Sequence, residues 1–324
     1  MPLFTLDELT SAAELVHRHV APTPQLEWPL LTERLGADVI VKHENHTPAG
    51  AFKVRGGIVY MDRLARERPD VRGVVSATRG NHGQSMGFAG RVSGTPVTIV
   101  APVGNSADKN ASMRGWGVEL IEHGHDFQAA REHAELLAGE RHLEMVPSYH
   151  RDLVIGVATY ALELFESHRD LHAVYVPVGM GSGICGLITV RDLLGLDTEI
   201  VGVVAANAPA TALSFAAGAP VSTDTAATFI DGVACRVPDA QAIDVICGGA
   251  ARIVEVPEDV CAEAIRVLYS TTHNVAEPAG AIATAGLMVE RDRQQGRRVA
   301  TILTGGNLDT ALLRTIFAGD TPQP

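Results

Sequence analysis

Short apolar stretches, each closed by a glycine-rich or polar turn that opens into a helix, recur along this chain, and this repetition constrains the fold more than any single motif. Residues 72–76 read as a strand, followed by a polar turn at 78–84 and a helix through 86–91. The strand at 96–100 leads to a short helix near 107–114, and the strand-like 117–122 to a helix at 127–139. A second series begins with a helix over about 153–167. It continues through strand 173–178, helix 184–194, strand 199–204, helix 209–218, a loop across 221–232 and strand 252–256. Helices 258–270 and 279–290, strand 299–303 and a closing helix complete it. Ahead of both series, a helix over about 7–18 and a strand at 38–42 are expected. Parallel neighbours need a crossover between them, so units at this spacing predict parallel sheets. The expected class is α/β, two doubly wound open-sheet domains, with the chain changing sheet near Arg72 and again near Pro147. That assigns 1–71 and 148–324 to a large discontinuous domain and 72–147 to a small substrate-side one.

Composition agrees with this class. The 324 residues are 46% hydrophobic but only 5% aromatic, so Ala, Val, Leu and Ile do the packing, as strands buried under helices on both faces require. A formal charge of −12 with scattered Lys and Arg repels phosphate backbones and anionic lipid, which speaks against nucleic-acid and membrane roles. No apolar run reaches the roughly 18 residues of a spanning helix. The N-terminus lacks the basic stretch of a signal peptide and reads as a capping box, Thr5 to Glu8, which points to the cytoplasm. Cys185, Cys235, Cys247 and Cys261 lie far apart. They are expected to be reduced and mostly buried, with no zinc or disulfide framework.

The stretch from His43 to Gly57 holds a single lysine, Lys53, among small residues, and the helix-compatible Ile58-Val59-Tyr60-Met61 begins soon after. Burial and the positive end of a helix both disfavour an ammonium there. A lysine freed of its proton adds to carbonyls and forms a Schiff base, so Lys53 is the candidate nucleophile.

Several turns follow strands, where open α/β sheets bind ligands. In Gly179-Met180-Gly181-Ser182-Gly183-Ile184-Cys185-Gly186, glycines let backbone N–H groups approach an anion at a helix start, the means by which a phosphate is held. The embedded Gly181-x-Gly183-x-x-Gly186 also matches a dinucleotide fingerprint and raises a nicotinamide-dependent oxidoreductase as the rival. That fingerprint wants an acid at the end of the next strand, where this chain has Ala205-Ala206-Asn207. The turn therefore suits a single phosphate. Thr78-Arg79-Gly80-Asn81-His82-Gly83-Gln84 offers amides and a hydroxyl able to hold a carboxylate or a ring oxygen. Thr304-Gly305-Gly306-Asn307 and Glu277-Pro278-Ala279-Gly280-Ala281 are two further turns.

Together, Ala51-Phe52-Lys53-Val54-Arg55-Gly56, Gly80-Asn81-His82, the Gly179–Gly186 loop, Glu277-Pro278-Ala279-Gly280-Ala281 and Thr304-Gly305-Gly306-Asn307 resemble the fold-type II pyridoxal-phosphate enzymes, of the tryptophan synthase β-subunit type, in the threonine dehydratase and serine racemase branch. The resemblance covers nearly the whole chain, in the family's order and spacing. It implies that pyridoxal 5'-phosphate is the cofactor, held by Lys53, with the phosphate on Gly179, Met180, Gly181, Ser182 and Gly183. It further implies that Asn81 bonds the ring oxygen, that Phe52 packs beside the ring, that Glu277 lies at the cofactor and that Thr304 faces the ring nitrogen. A neutral hydroxyl there leaves the nitrogen unprotonated and favours elimination over transamination. The substrate side would be Thr78, Arg79, Gly80, Asn81 and His82, and the assembly a homodimer.

The activity implied is loss of water from a β-hydroxy-α-amino acid to give a 2-oxo acid and ammonia, with Lys53 moving the α-proton. Threonine or serine is the default substrate. The family usually has Ser or Thr where this chain has Ala49 and Ala51, which raises phenylserine. Arg79 raises L-threo-3-hydroxyaspartate, since a guanidinium pairs well with a second carboxylate. Arg79 is also a poor proton donor, so racemase activity, the remaining alternative in this fold, is disfavoured. No counterpart of the divalent-cation ligands is evident at 204–212, so no metal is expected. No room for a regulatory domain is expected after Pro324. A ligand-binding module without catalytic activity is the third class considered.

Overall fold

A computed structural model describes residues 2–324 of the chain. In order, α1 (Leu6–His17), β1 (Gln25–Glu27), α2 (Pro29–Leu35) and β2 (Asp38–His43) precede a short 3₁₀ turn (Glu44–His46) and α3 (Lys53–Glu67). Then follow β3 (Val74–Ala77), α4 (Asn81–Ser93), β4 (Val97–Ala101), α5 (Ala107–Gly115), β5 (Glu119–Glu122), α6 (Phe127–Arg141) and β6 (Glu144–Met145). The chain continues through α7 (Arg151–Ser167), β7 (Ala173–Pro177), α8 (Ser182–Leu193), β8 (Glu199–Ala205), α9 (Ala210–Ala217) and α10 (Ala240–Gly249). It ends with β9 (Arg252–Val256), α11 (Glu258–Thr272), α12 (Pro278–Val289), β10 (Arg298–Leu303) and α13 (Thr310–Phe317).

Six strands form one sheet in the order β1-β2-β10-β7-β8-β9, and four form a second in the order β5-β4-β3-β6. All pairings are parallel except β1 with β2. Alternate residues of the central strands feed cores on opposite faces of the larger sheet: Ile40, Val174 and Val176 on one, Val39, Val41, Ala173 and Tyr175 on the other. Burial of each large aliphatic side chain contributes about 1.5–3 kcal/mol, and because both faces are covered these strands read as continuous apolar runs rather than alternating ones. The expected two-sheet α/β class is thus the observed one.

The differences from the sequence reading are local. The three-residue edge strand β1, the helix α2 and the two-residue β6 are too short for periodicity to show. Helix α10 was not anticipated; Asp239 starts it, accepting from the amides of Gln241 and Ala242, and Ala242, Ile243 and Ile246 are its buried side. Helix α4 begins at Asn81, so half of the turn expected at 78–84 is its first turn. The capping box holds as read: the Thr5 hydroxyl accepts from the Glu8 amide at 3.2 Å, and the Glu8 carboxylate accepts from the Thr5 amide at 2.8 Å. All four cysteines are free, and only Cys247 is not buried. Among the described residues no helix is long and apolar enough to cross a membrane.

One close approach fixes the helix that carries Lys53. A Cβ on Gly56 would stand 2.6 Å from the carbonyl oxygen of Leu153, and one on Gly156 would stand 2.7 Å from the Cα of Gly56. Helices α3 and α7 therefore cross on bare backbone, and any larger residue would move Lys53.

Candidate active site

The three adjacent parallel strands β2, β10 and β7 end at the same edge of the larger sheet, and each releases one of the turns singled out above. After β2 comes the loop ending in Lys53, after β10 Thr304 to Asn307, and after β7 Gly179 to Gly183. Backbone bonds tie the first two together: the Phe52 amide donates to the Thr304 carbonyl at 2.9 Å and the Gly306 amide to the Gly50 carbonyl at 2.9 Å. The Glu277 amide donates to the Gly305 carbonyl at 3.1 Å, which draws in the start of α12, and the Thr304 hydroxyl donates to the Ala279 carbonyl at 3.1 Å. From the smaller sheet, β3 delivers Thr78 to Gly80 and the first turn of α4. The Asn81 amide nitrogen donates to Glu277 at 2.5 Å, and that of Asn307 donates to the Asn81 oxygen at 2.8 Å and to the Ala49 carbonyl at 2.9 Å. Lys53, Phe52, Asn81, Glu277 and Thr304 are thus gathered from four separated segments.

The electrostatics single out Lys53. Burial pushes its amine down to about 8, only partly opposed by Glu277 and Asp231, and its nitrogen stands 4.3 Å from the centre of the Phe52 ring. Burial pushes Glu277 the other way, up to about 7, although Lys109 counters it. His82, whose Nε2 is buried without a partner, is held neutral, down at about 4, by burial and then by Lys53. An amine and a carboxyl that both titrate close to neutrality mark the spot as one equipped for proton transfer.

The Gly179 turn has the form of an anion cradle. A Cβ on Gly179 would sit 2.5 Å from the Gly232 carbonyl oxygen, and Gly181, the residue before α8, has φ +99. No side chain caps α8, so the amides of its first turn have no intrahelical acceptor and face outward. Phe52 connects cradle and lysine: it packs edge-on against Tyr160 at 6.3 Å, and the Tyr160 hydroxyl donates to the Gly183 carbonyl at 3.2 Å. Met180 is half-buried, its sulfur 3.8 Å from that of Cys235. An aldehyde that also carries a phosphate fits these residues. The cradle would take the anion and the lysine the carbonyl, with the neutral hydroxyl of Thr304 between them in the sheet order.

Other expected positions lie differently. Arg79 is exposed; Asn105 donates to its carbonyl at 3.1 Å, and its charge lies near Asp126 rather than over Lys53. Ala51 is buried against Gly305, and Ala49 is buried in the core beneath the sheet. Thr78 is buried and accepts from the Gly80 amide at 3.1 Å, bracing the turn.

Sequence reasoning missed Lys109 and Asp231, paired at 2.5 Å beside Glu277, because neither belongs to a motif. It also missed a buried cluster beside Lys53. Arg55 donates to Glu44 at 2.8 Å and to Glu163 at 2.6 Å, and Lys42 bonds Glu163 as well. The only sequence hint was the charged Lys42-His43-Glu44 at the end of an apolar strand; Glu163 lies 108 residues from Arg55.

An open α/β sheet with a pKa-depressed lysine, an anion cradle and a neutral hydroxyl at its carboxyl edge defines an enzyme that works through an aldehyde cofactor bearing a phosphate. The comparisons with known proteins agree. Residues 16–305 match the family described as "Pyridoxal-phosphate dependent enzyme", and the chain belongs to that family. It is 29% identical over 91% of its length to the L-threonine dehydratase biosynthetic IlvA of Pasteurella multocida, of which it spans 58%. It is 28% identical over 99% of its length to the L-threo-3-hydroxyaspartate ammonia-lyase of Saccharomyces cerevisiae, covering 98% of that protein. The processed threonine deaminase isoform 2 of Solanum lycopersicum superposes with a TM-score of 0.89 at 28% identity, over 98% of this chain and 95% of that one. The chain is thus a fold-type II pyridoxal-phosphate-dependent enzyme of the threonine dehydratase branch.

Proposed function

We propose that this protein removes water from a small β-hydroxy-α-amino acid, threonine or serine by default, releasing a 2-oxo acid and ammonia. The observation that carries the reading is Lys53: half-buried, without a paired carboxylate among the described residues, held near 8, and fixed between the cradle and the first turn of α4. When bound, pyridoxal phosphate supplies an aldehyde for the amine and a ring that delocalises the electrons left on Cα. Gly179, Met180, Gly181, Ser182 and Gly183 hold the phosphate through backbone N–H groups at the start of α8. Asn81 would donate to the ring oxygen, Phe52 would wall the ring, and the Thr304 hydroxyl, on turning its O–H from the Ala279 carbonyl to the ring nitrogen, would partner that nitrogen without charging it.

The substrate carboxylate is received by the turn of Thr78, Gly80, Asn81 and His82, where α4 begins without a side-chain cap. The Lys53 amine would be neutral over enough of the physiological range to take the Cα proton. His82, being neutral, hydrogen-bonds the substrate without adding charge. Arg79 would contact substrate only at the rim, which leaves hydroxyaspartate supported by the yeast relative rather than by this side chain. Ala49 and Ala51 are packed into the protein and give phenylserine little support. The proposal extends to a homodimer in the cytoplasm, and to 72–147 as a smaller domain, for which the containment of β3 to β6 within 74–145 is the support.

Borohydride reduction of the yellow protein followed by mass spectrometry should place the added cofactor mass on Lys53. The specificity constants for threonine, serine, phenylserine and 3-hydroxyaspartate then rank the substrates. Label on another lysine, or no 2-oxo acid from any of the four, overturns the reading.

A further inference from the structure

Lys109 belongs to none of the roles above, yet its side chain is 10% exposed and reaches the site from α5. Its stem lies across the start of α4, with Cδ 2.8 Å from where a Cβ on Gly80 would stand. The ammonium bonds Asp231 at 2.5 Å. Glu277 is 2% exposed and lies among charges from every side. Lys109 faces it from α5, Lys53 from α3 and Asp231 from the turn that follows β8 and α9, while Asn81 of α4 donates to it. Asp309 faces Lys109 from the start of α13, and His82 faces Lys53 from α4.

An ionised carboxylate can only accept hydrogen bonds, so it forces the neighbouring amide to present its nitrogen. The Asn81 oxygen is then turned to Asn307, which donates to it, and the second N–H of Asn81 remains a free donor to a ligand. If Glu277 takes up a proton, that constraint lapses and the charge-assisted bond falls to roughly half its strength. We propose that Lys109 is a positioning residue: it keeps Glu277 ionised and so holds the Asn81 amide as a donor toward the ring oxygen of the cofactor. Burial drives Glu277 toward the neutral acid, and the Lys109 charge opposes it more strongly than the Asn81 hydrogen bond or Lys53 does. Lys109 itself stays charged, because Asp231 and Glu277 outweigh the effect of its own burial. Lys53 cannot substitute for it, since its own charge is the one that burial suppresses.

This rests on the reading that pyridoxal phosphate binds at Lys53, and the test separates the two. The probe is pyridoxine 5'-phosphate, which carries the ring oxygen and the phosphate but no aldehyde, so the reactivity of Lys53 does not enter. Its affinity for the cofactor-free full-length protein is titrated against pH. Wild type should lose affinity as pH falls through about 7, where Glu277 takes its proton. In K109M that midpoint should move up by about one unit, while K109R should stay near wild type. In E277Q the midpoint should vanish, and K109M/E277Q should match E277Q at every pH. A uniform loss of affinity in K109M with an unmoved midpoint would show a merely structural lysine and overturn the proposal, as would a shift that persists in the E277Q background. Failure of reductive trapping at Lys53 in wild type would instead sink the functional reading itself.

Discussion

Lys53 and Arg55 stand two residues apart on the first turn of one helix, Arg55 fully buried and Lys53 half-buried, and their surroundings are opposite. Arg55 has Glu44, Glu163 and Thr159 as hydrogen-bond partners, and these hold its charge firmly in place. Lys53 has no salt-bridge partner among the described residues, and burial takes its amine down to about 8. A buried charge costs several kcal/mol unless it is paired. Where the pairing is complete the charge serves the scaffold; where it is withheld the group titrates near neutrality and becomes reactive. The helix thus uses its second cation to fix the position of its first.

That contrast predicts separable phenotypes. The largest effect belongs to K53A, which should lower turnover by about 10³-fold or more and leave no borohydride-stable adduct, while thermal unfolding stays close to wild type. With the lysine intact, the rate of pyridoxal phosphate incorporation into the cofactor-free protein should rise about tenfold per pH unit, as the neutral amine does, and level off above about 8. A plateau nearer 10.5 would show an ordinary exposed lysine. Next comes R55M, which takes from Glu44 its charge partner and leaves Glu163 to Lys42 and His17, and should cost about 3–5 kcal/mol in denaturant unfolding. The incorporation profile of the protein that still folds should keep its limb near 8, since Arg55 is not among the charges acting on Lys53. Movement of that limb by a full unit would join the two regions that the comparison separates.

Glu163 sharpens the same point. Its burial favours the neutral acid, but Arg55 and Lys42 outweigh it and hold the group down at about 2 against an ordinary 4.5. Because the folded value is the lower one, this stabilisation is complete above about 4.5 and is lost as pH falls toward 2. E163Q should therefore flatten stability over that acid window, measured by urea unfolding across pH. G181A tests the cradle: with φ +99 the added Cβ costs about 1–2 kcal/mol, and cofactor affinity should fall about tenfold with Lys53 chemistry unaltered. The smallest effect is H17A. His17 bonds Glu163 at 2.8 Å from the rim and is 34% exposed, so its loss should cost about 0.5 kcal/mol or less.

Much of this was legible in the chain itself. The strand-turn-helix rhythm announced two parallel sheets, since a strand covered on both faces must be apolar throughout, as at Val39 to Val41 and Val174 to Val176. The turn of Gly179 to Gly183 was readable because close packing of Gly179 on the Gly232 carbonyl and a positive φ at Gly181 admit little but glycine. That Lys53 stands at a helix start was readable, because small residues precede it and a helix-compatible run follows.

What the residues could not disclose was their company. Arg79 looked like a partner for substrate and lies exposed near Asp126, whereas Lys109 looked ordinary and reaches the site across Gly80 to Asp231. Ala49 and Ala51 looked like a cleft wall and are packed inside. Glu163 comes to Arg55 only because α3 and α7 cross on Gly56 and Gly156. Periodicity and turn chemistry act over a few residues, so the sequence determined the elements and the atoms available at their ends. Charge pairing acts through space between segments more than 100 residues apart, as between Arg55 and Glu163, so only the tertiary structure decided which buried charge is neutralised and which is left to react.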